Sequence, residues 1–495
     1  MRILLGGARG LAFLYFVLAG GWALGCDQLP AGQTLWVRLS SPVSTYTARN
    51  GDPVHAVLTQ DVMCGSDVVL PMGTPIEGVV RSKRKVGWGI RHETAALELE
   101  FNRAVLGPDA TVHMTAQVEE VENSREQVKN GVIRGVMSSD TFQGRINSRL
   151  IHLPTWNPYS DLGLIVYKAT FPIFPEPEIF YPPGTDMRLK TKEAVAAPPA
   201  REATAESSNS PDMQALEDLV QQLPQRSTTI KATDADLTNL VFLGSQQQVE
   251  SSFRNAGWSN TDPVSHNSVL NNLYALLNNS GYAQEPMMTF LLDGKPQDMS
   301  WQKSLNSYGR RDHLRIWQWT PEGATEPVWV SASTQDTGAV LSVKHKGFVH
   351  HISSDIDNER AKVIRDLNFA GCVKSVTYVA RPGIDTITQN ATGDTMRTDG
   401  SIAVVELKDC RPVAPDVAAS TSGAQFRPGN HAFRYIRRQI LTFRNDIWRA
   451  NIVYGIYDLG RMALTAMRRP LPPPDTEARP NVSAPQPATV APGLE

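Results

Sequence analysis

The chain is poor in cysteine: four in 495 residues, none in a Cys-x-x-Cys pair or at a spacing to histidine that would cage zinc. No structural metal is expected. It also lacks a charge excess, with 48 basic against 50 acidic residues, so no chain-wide field draws it onto nucleic acid. Beyond the first 25 residues there is no run of ~20 consecutive apolar residues, so nothing later is expected to span a membrane as a helix. Missing too are a Gly-x-Ser-x-Gly nucleophile elbow, a Gly-Lys-Ser/Thr phosphate loop and a dinucleotide fingerprint. Asp336-Thr337-Gly338 occurs once, whereas an aspartic-protease dyad needs two carboxylates. Catalysis is not demanded by any motif, and the reading leans away from an enzyme.

What is present begins with a leader. Arg2 and Arg9 precede an uncharged stretch, Leu11 to Leu24, too short for a bilayer and matched to a signal-peptide core. Ala23-Leu24-Gly25 puts small residues where a signal peptidase reads, so cleavage is expected before Cys26. The same string resembles a bacterial lipobox, with the usual Leu and Ala order reversed. An exported protein follows, periplasmic or membrane-associated. Two solutions for the cysteines stay open: disulfides Cys26–Cys64 and Cys372–Cys410, or a lipidated Cys26 with Cys64 free.

A turn recurs as Leu29-Pro30-Ala31-Gly32, Leu70-Pro71-Met72-Gly73-Thr74 and Tyr181-Pro182-Pro183-Gly184-Thr185. Proline presets φ at its second position and glycine suits the fourth, so each starts a strand. Alternation follows, as in Leu97, Leu99 and Phe101 interleaved with Glu98 and Glu100, and in Val112, Met114, Ala116 and Val118. The expected fold is multidomain: a signal peptide at 1–25, then an all-β N-terminal barrel or sandwich at 26–193. That domain holds an irregular excursion over 123–180, and Met187-Arg188-Leu189 returns as its last strand. A Pro/Ala linker at 194–212 leads to an α+β domain at 213–411, where helical spacings alternate with apolar runs. A second linker covers 412–428, a basic amphipathic helix 429–469, and a disordered tail 470–495. In that helix Phe433, Ile436, Ile440, Phe443 and Ile447 align one apolar seam among Arg434, Arg437, Arg438, Arg444 and Trp448. It can lie on an anionic membrane, or pack its seam on the α+β domain with the arginines outward.

The strings Leu240-Val241-Phe242-Leu243-Gly244-Ser245, Ala256-Gly257-Trp258, Gly294-Lys295-Pro296-Gln297-Asp298 and Arg310-Arg311-Asp312-His313-Leu314-Arg315-Ile316-Trp317 carry a resemblance. So do Val328-Trp329-Val330, Asp336-Thr337-Gly338 and His350-His351-Ile352 through Asp355-Ile356-Asp357-Asn358-Glu359-Arg360. Together they resemble the LssY C-terminal domain family. That family is of uncharacterised function and accompanies a type 2 phosphatidic-acid phosphatase module in some bacterial membrane proteins; this chain has no such module, so phosphatase activity is not implied. The N-terminal Leu-Pro-x-Gly-Thr turns resemble β-domains of envelope proteins such as the TrbI-like conjugation proteins.

Two sets of residues can carry chemistry. If 311–317 is a strand, Arg311, His313, Arg315 and Trp317 share a face, and such a stripe suits a phosphate or carboxylate. The alternative is internal neutralisation by Asp355, Asp357 or Glu359. The second set, His350-His351 with Asp355, Asp357 and Glu359, offers imidazole and carboxylate ligands, His351, Asp355 and Asp357 being the metal candidates. Adjacent strand residues point oppositely, and the aspartates also suit a helix cap. The leading expectation is therefore a non-catalytic envelope module binding a partner or anionic ligand, with no cofactor and no nucleic acid. A metal-assisted phosphohydrolase, the one case calling for a divalent metal, and a membrane-associated scaffold are the alternatives.

Overall fold

The computed structural model describes residues 27–65, 67–88, 93–108, 110–137, 176–196, 212–342, 347–414 and 431–450. The expectations for the leader, Cys26 and the tail lie outside these residues, as does most of each linker.

Proline-glycine turns and period-two alternation build a barrel. Its strands are β1 (Thr34–Leu39), β2 (Pro53–Leu58), β3 (Pro75–Arg84), β4 (Ala96–Gly107), β5 (Ala110–Val121) and β6 (Asp186–Thr191). All six pair antiparallel in the order β4-β3-β2-β1-β6-β5, and β5 returns to β4, closing the cylinder. Closure removes both sheet edges. Leu97, Leu99 and Phe101 face in and are fully buried, while Glu98 and Glu100 face out toward Arg81. A register shift at Glu77/Gly78 bends β3, and a side chain at 78 would collide with the backbone of Glu100 and Phe101. The third turn does return Met187-Arg188-Leu189, as the strand between β1 and β5. Pairing continues to Val195–Ala196 against Gln28–Leu29, so the unit runs slightly past the expected boundary at 193 because Val195 is buried there.

The second unit is layered. Strands β7 (Leu240–Leu243), β8 (Met299–Ser304), β9 (Arg311–Trp319), β10 (Val328–Ser342), β11 (Gly347–Ile352), β12 (Val373–Ala380) and β13 (Ser401–Leu407) form one mixed sheet. Its order is β8-β9-β10-β7-β13-β12, with β11 paired to the far half of β10 and β7 parallel to β13. Strand β10 runs unbroken through Ser333, Thr334 and Asp336, polar residues that are buried within the sheet. Helices α1 (Met213–Gln222), α2 (Gln246–Asn255), α3 (His266–Asn278) and α4 (Ile356–Phe369) complete the layers. Ser245 and Gln248 form a capping box that starts α2, and Asp355 caps α4. Leu314 and Ile316 of β9 bury against α2 and α4, while Trp317, Val330 and Val404 bury with Val220 of α1 and Phe290 on the opposite face. Sequence spacing had not marked α3. A last helix, α5, spans His431–Ala450.

Cys372 and Cys410 are disulfide-bonded across a separation of 38 residues. Cys64 is also disulfide-bonded; Cys26 lies outside the described residues. No described helix is long and apolar enough to cross a membrane.

Closing a loop of this length removes unfolded-state entropy worth about 4 kcal/mol. Cys372→Ser with Cys410→Ser should lower unfolding free energy in urea by about that amount, with the wild type under reductant shifting toward the variant.

Candidate functional site

Strand β9 alternates as its sequence implies. Arg311, His313, Arg315 and Trp317 share one face, and all four are buried. They are not an open basic stripe. Arg311 donates from Nε to Asp336 Oδ2 at 2.8 Å and from Nη1 to Gln302 Oε1 at 2.7 Å, and meets Glu285 Oε2 at 3.0 Å. Arg315 pairs with Asp236 at 3.1 Å, donates to the Met288 carbonyl and lies over Phe290, 4.0 Å from its centroid. Neutralisation is internal, but not by Asp355, Asp357 or Glu359. Those three belong to α4 and its cap, which pack on the other face of the sheet.

His313 stands between a hydroxyl and a carboxylate: Nε2 is 3.0 Å from Thr334 Oγ1 and Nδ1 is 3.6 Å from Asp336 Oδ2. Burial pushes the imidazole down to about 3, so it is neutral. Burial also favours the neutral acid at Asp336, but its His313 and Arg311 neighbours outweigh that and hold the carboxyl at about 2. The series has the order of a nucleophile relay, yet Thr334 is 1% exposed, so its hydroxyl is closed off from solvent.

The metal candidates are dispersed. His350 turns into this cluster, 3.4 Å from both Glu285 and Asp336, with its ring against Tyr308. His351, on the other side of β11, is half exposed and contacts Asp394 at 2.7 Å. Asp355 accepts from the Asn358 amide, and Asp357 accepts from the Thr398 hydroxyl and pairs with Arg360. Strand pleating and helix capping thus give His351, Asp355 and Asp357 three separate tasks. Among the described residues no group of three or more His, Cys, Asp or Glu could hold a metal.

The largest polar cluster lies on the opposite face of β8 and β9, where the barrel docks. Arg38 of β1 holds Asp186 at 2.6 Å and Asp366 at 3.1 Å. Lys303 of β8 reaches Asp186 at 2.8 Å and Asp366 at 2.9 Å. Lys362 meets Asp366, Asp186 and Glu122, and Arg365 pairs with Glu122. Trp258 donates to Asp366, and Asn123 donates to Asp312 and to the Lys303 carbonyl. Nothing in the sequence pattern flagged this set, whose members are scattered from 38 to 366; lysines at buried strand and helix positions were its only trace.

Residues 220–402 match the family model LssY C-terminus. The match covers over a third of the chain and contains every string that suggested it. No curated protein matches the chain. Among solved structures, ComB10 of the Com type IV secretion system of Helicobacter pylori is 11% identical, with 36% of this chain and 93% of that one covered, at a TM-score of 0.21. So low a score carries no argument.

The LssY-type region therefore meets the barrel through ions. Desolvating them is costly unless each is paired. Despite burial, Arg38, Lys303 and Lys362 hold Asp186 well below the carboxylate range, and Lys303 and Lys362 hold Asp366 at about 2. Two further carboxyls behave oppositely. Burial raises Asp312 to about 6, and burial beside Asp312 raises Glu359 well above its usual value. Four cations, Arg38, Lys303, Lys362 and Arg365, then balance Glu122, Asp186, Asp366 and Asp312 if Glu359 keeps its proton.

The arginines of α5 meet the barrel side. Arg437 pairs with Glu178 at 2.6 Å and Glu176 at 3.3 Å, Arg438 is 3.4 Å from Glu176, and Arg444 donates to the Gly87 carbonyl. The side chains of Arg434 and Trp448 lie outside the described ones.

Asp366→Asn should destabilise the protein by about 3–5 kcal/mol, since it leaves the buried cations Arg38, Lys303 and Lys362 one negative charge short; urea unfolding measures this. The pH dependence of Asp312 has a definite sign. Its folded pKa is raised, so its stabilising contribution is complete below about pH 4 and is lost as pH climbs through about 6. Stability of the wild type should decline across that window, and Asp312→Asn should flatten the decline.

Proposed function

We propose that this is an exported cell-envelope protein whose LssY-type region works without turnover, as an interaction module that takes an anionic, phosphate- or carboxylate-bearing group at Arg311 and His350. The observation that carries the reading is the origin of the carboxylates around Arg311. Asp336 is fixed in strand β10, whereas Glu285 comes from the connection between α3 and the strand at Phe290–Leu292. Glu285 occupies the seat an incoming anion would take, 3.0 Å from Arg311 and 3.4 Å from His350. A guanidinium accepts a phosphate or carboxylate with the same fork. The disulfide Cys372–Cys410 suits an oxidising compartment and so supports export. Lack of turnover is supported by the buried Thr334 and by the dispersal of His351, Asp355 and Asp357.

Titration with inorganic phosphate tests this. Glu285→Gln should bind phosphate at least about tenfold more tightly than the wild type, because it removes the competing charge while keeping the side-chain volume. Adding His350→Ala to that variant should reverse the gain. Equal, undetectable binding by wild type and Glu285→Gln would remove the proposal, as would hydrolysis of a phosphomonoester by the purified protein.

A further inference from the structure

Helices α3 and α5 both expose apolar residues, but they are held very differently. Helix α5 is pinned to the barrel by the buried Arg437 and Arg444, with Leu441 between them in the barrel core. Its Phe433, Ile436 and Ile440 look outward, which corrects the expectation that the seam packs on the α+β domain. Helix α3 has no comparable anchor. Val269, Leu270, Leu273 and Tyr274 are each about half exposed, and among the described side chains its buried apolar contact is Ala275 and Leu276 with Tyr308. So little buried apolar surface places α3 at the low end of local stability.

The chain around α3 is an excursion from the sheet. It leaves at Thr261, whose amide donates to the Ser300 carbonyl on β8, and returns at Phe290, which pairs with Thr229. Between these points polar contacts hold it down. Gln302 Nε2 donates to the Tyr282 carbonyl, the Tyr282 hydroxyl donates to Asp262, and the Tyr308 amide donates to Asn279 Oδ1. Gly281 passes so close to Leu305 that a Cβ there would collide with its carbonyl. Glu285, 3% exposed, then fastens the segment onto Arg311 and His350. Tyr308 joins the two parts, since its ring packs with Ala275 and Leu276 of α3 and also lies 5.3 Å from the His350 ring, centroid to centroid. Withdrawing Glu285 would not strip Arg311 bare, because Asp336 and Gln302 keep two of its nitrogens. Opening here therefore costs less than breaking an isolated buried pair.

We propose that residues 263–289 form an autoinhibitory strap: α3 and Glu285 lift as one segment, and the phosphate or carboxylate of a ligand takes the place of Glu285 on Arg311 and His350. The inference rests on the anion seat at Arg311 and adds how so buried a guanidinium is reached. Ligand and strap compete for the same donors, so anion binding and strap opening are one equilibrium. Apparent affinity is then lowered by the fraction of molecules whose strap is closed, and whatever loosens the strap tightens binding.

Hydrogen–deuterium exchange of the full chain, in inorganic phosphate or in chloride at equal ionic strength, tests it. In Glu285→Gln, saturating phosphate should raise amide exchange across 266–285 by about fivefold or more while β9 and β10 stay protected. Gly281→Ala, which forces the strap off Leu305, should raise that exchange without phosphate and bind phosphate about fivefold or more tightly than the wild type. Leu276→Ala, which loosens α3 from Tyr308 without touching the backbone, should act in the same direction. Phosphate binding by Glu285→Gln with unchanged exchange over 266–285 would overturn the strap and leave the seat standing. So would failure of both Gly281→Ala and Leu276→Ala to gain on the wild type in phosphate affinity while Glu285→Gln binds. Absence of phosphate binding from all three variants removes seat and strap together.

Discussion

Asp366 is the point on which the assembly of the two units rests. Its carboxylate, on the inner face of α4, is met by Arg38 from the barrel, Lys303 from the sheet, Lys362 from its own helix and the Trp258 indole. An apolar contact tolerates small displacements, but a buried carboxylate with four donors does not, because every lost partner leaves an unpaired group away from water. The orientation of the barrel on the LssY-type region is thereby specified more narrowly than burial of area alone would specify it. Arg38 is completely buried although it comes from a barrel strand, so the barrel wall at this place is interior to the molecule.

Strand β9 serves both polar clusters. Its odd-numbered positions carry Arg311, His313 and Arg315 toward Glu285, Asp336 and Asp236, and its even position 312 carries a carboxyl toward the docked barrel. Charge on both faces of a central strand is unusual for a sheet, where burial on both sides favours continuous apolar residues. Here it is tolerated because each charged group finds a partner on its own side, and the apolar residues of the strand, Leu314, Ile316 and Trp317, are concentrated toward its second half.

Much of the architecture was legible because it rests on local rules. Proline-glycine turns and alternating residues announce the barrel, Ser245 and Asp355 announce two helices, and the spacing of Arg311, His313 and Arg315 places them on one face. The partners of that face were not legible: Asp236, Glu285 and Asp336 arrive from three separate segments, and no spacing rule links them to β9. The same holds for Lys303 and Asp366, which are 63 residues apart. Helix α5 illustrates a different limit. Periodicity gives the relative directions of its apolar seam and its arginines, but which of the two meets the protein depends on Glu176, Glu178 and Gly87, far away in the chain.

The route of the chain through the barrel has a consequence for biosynthesis. Strand β6 lies between β1 and β5, so the cylinder joins Leu35 to Leu189 and leaves two unpaired edges until the ribosome has passed Thr191. Such edges invite pairing with other nascent polypeptides. Asp186 sits on that same late strand, so the order of emergence has cylinder closure set in place the carboxylate that Lys303 and Lys362 later share.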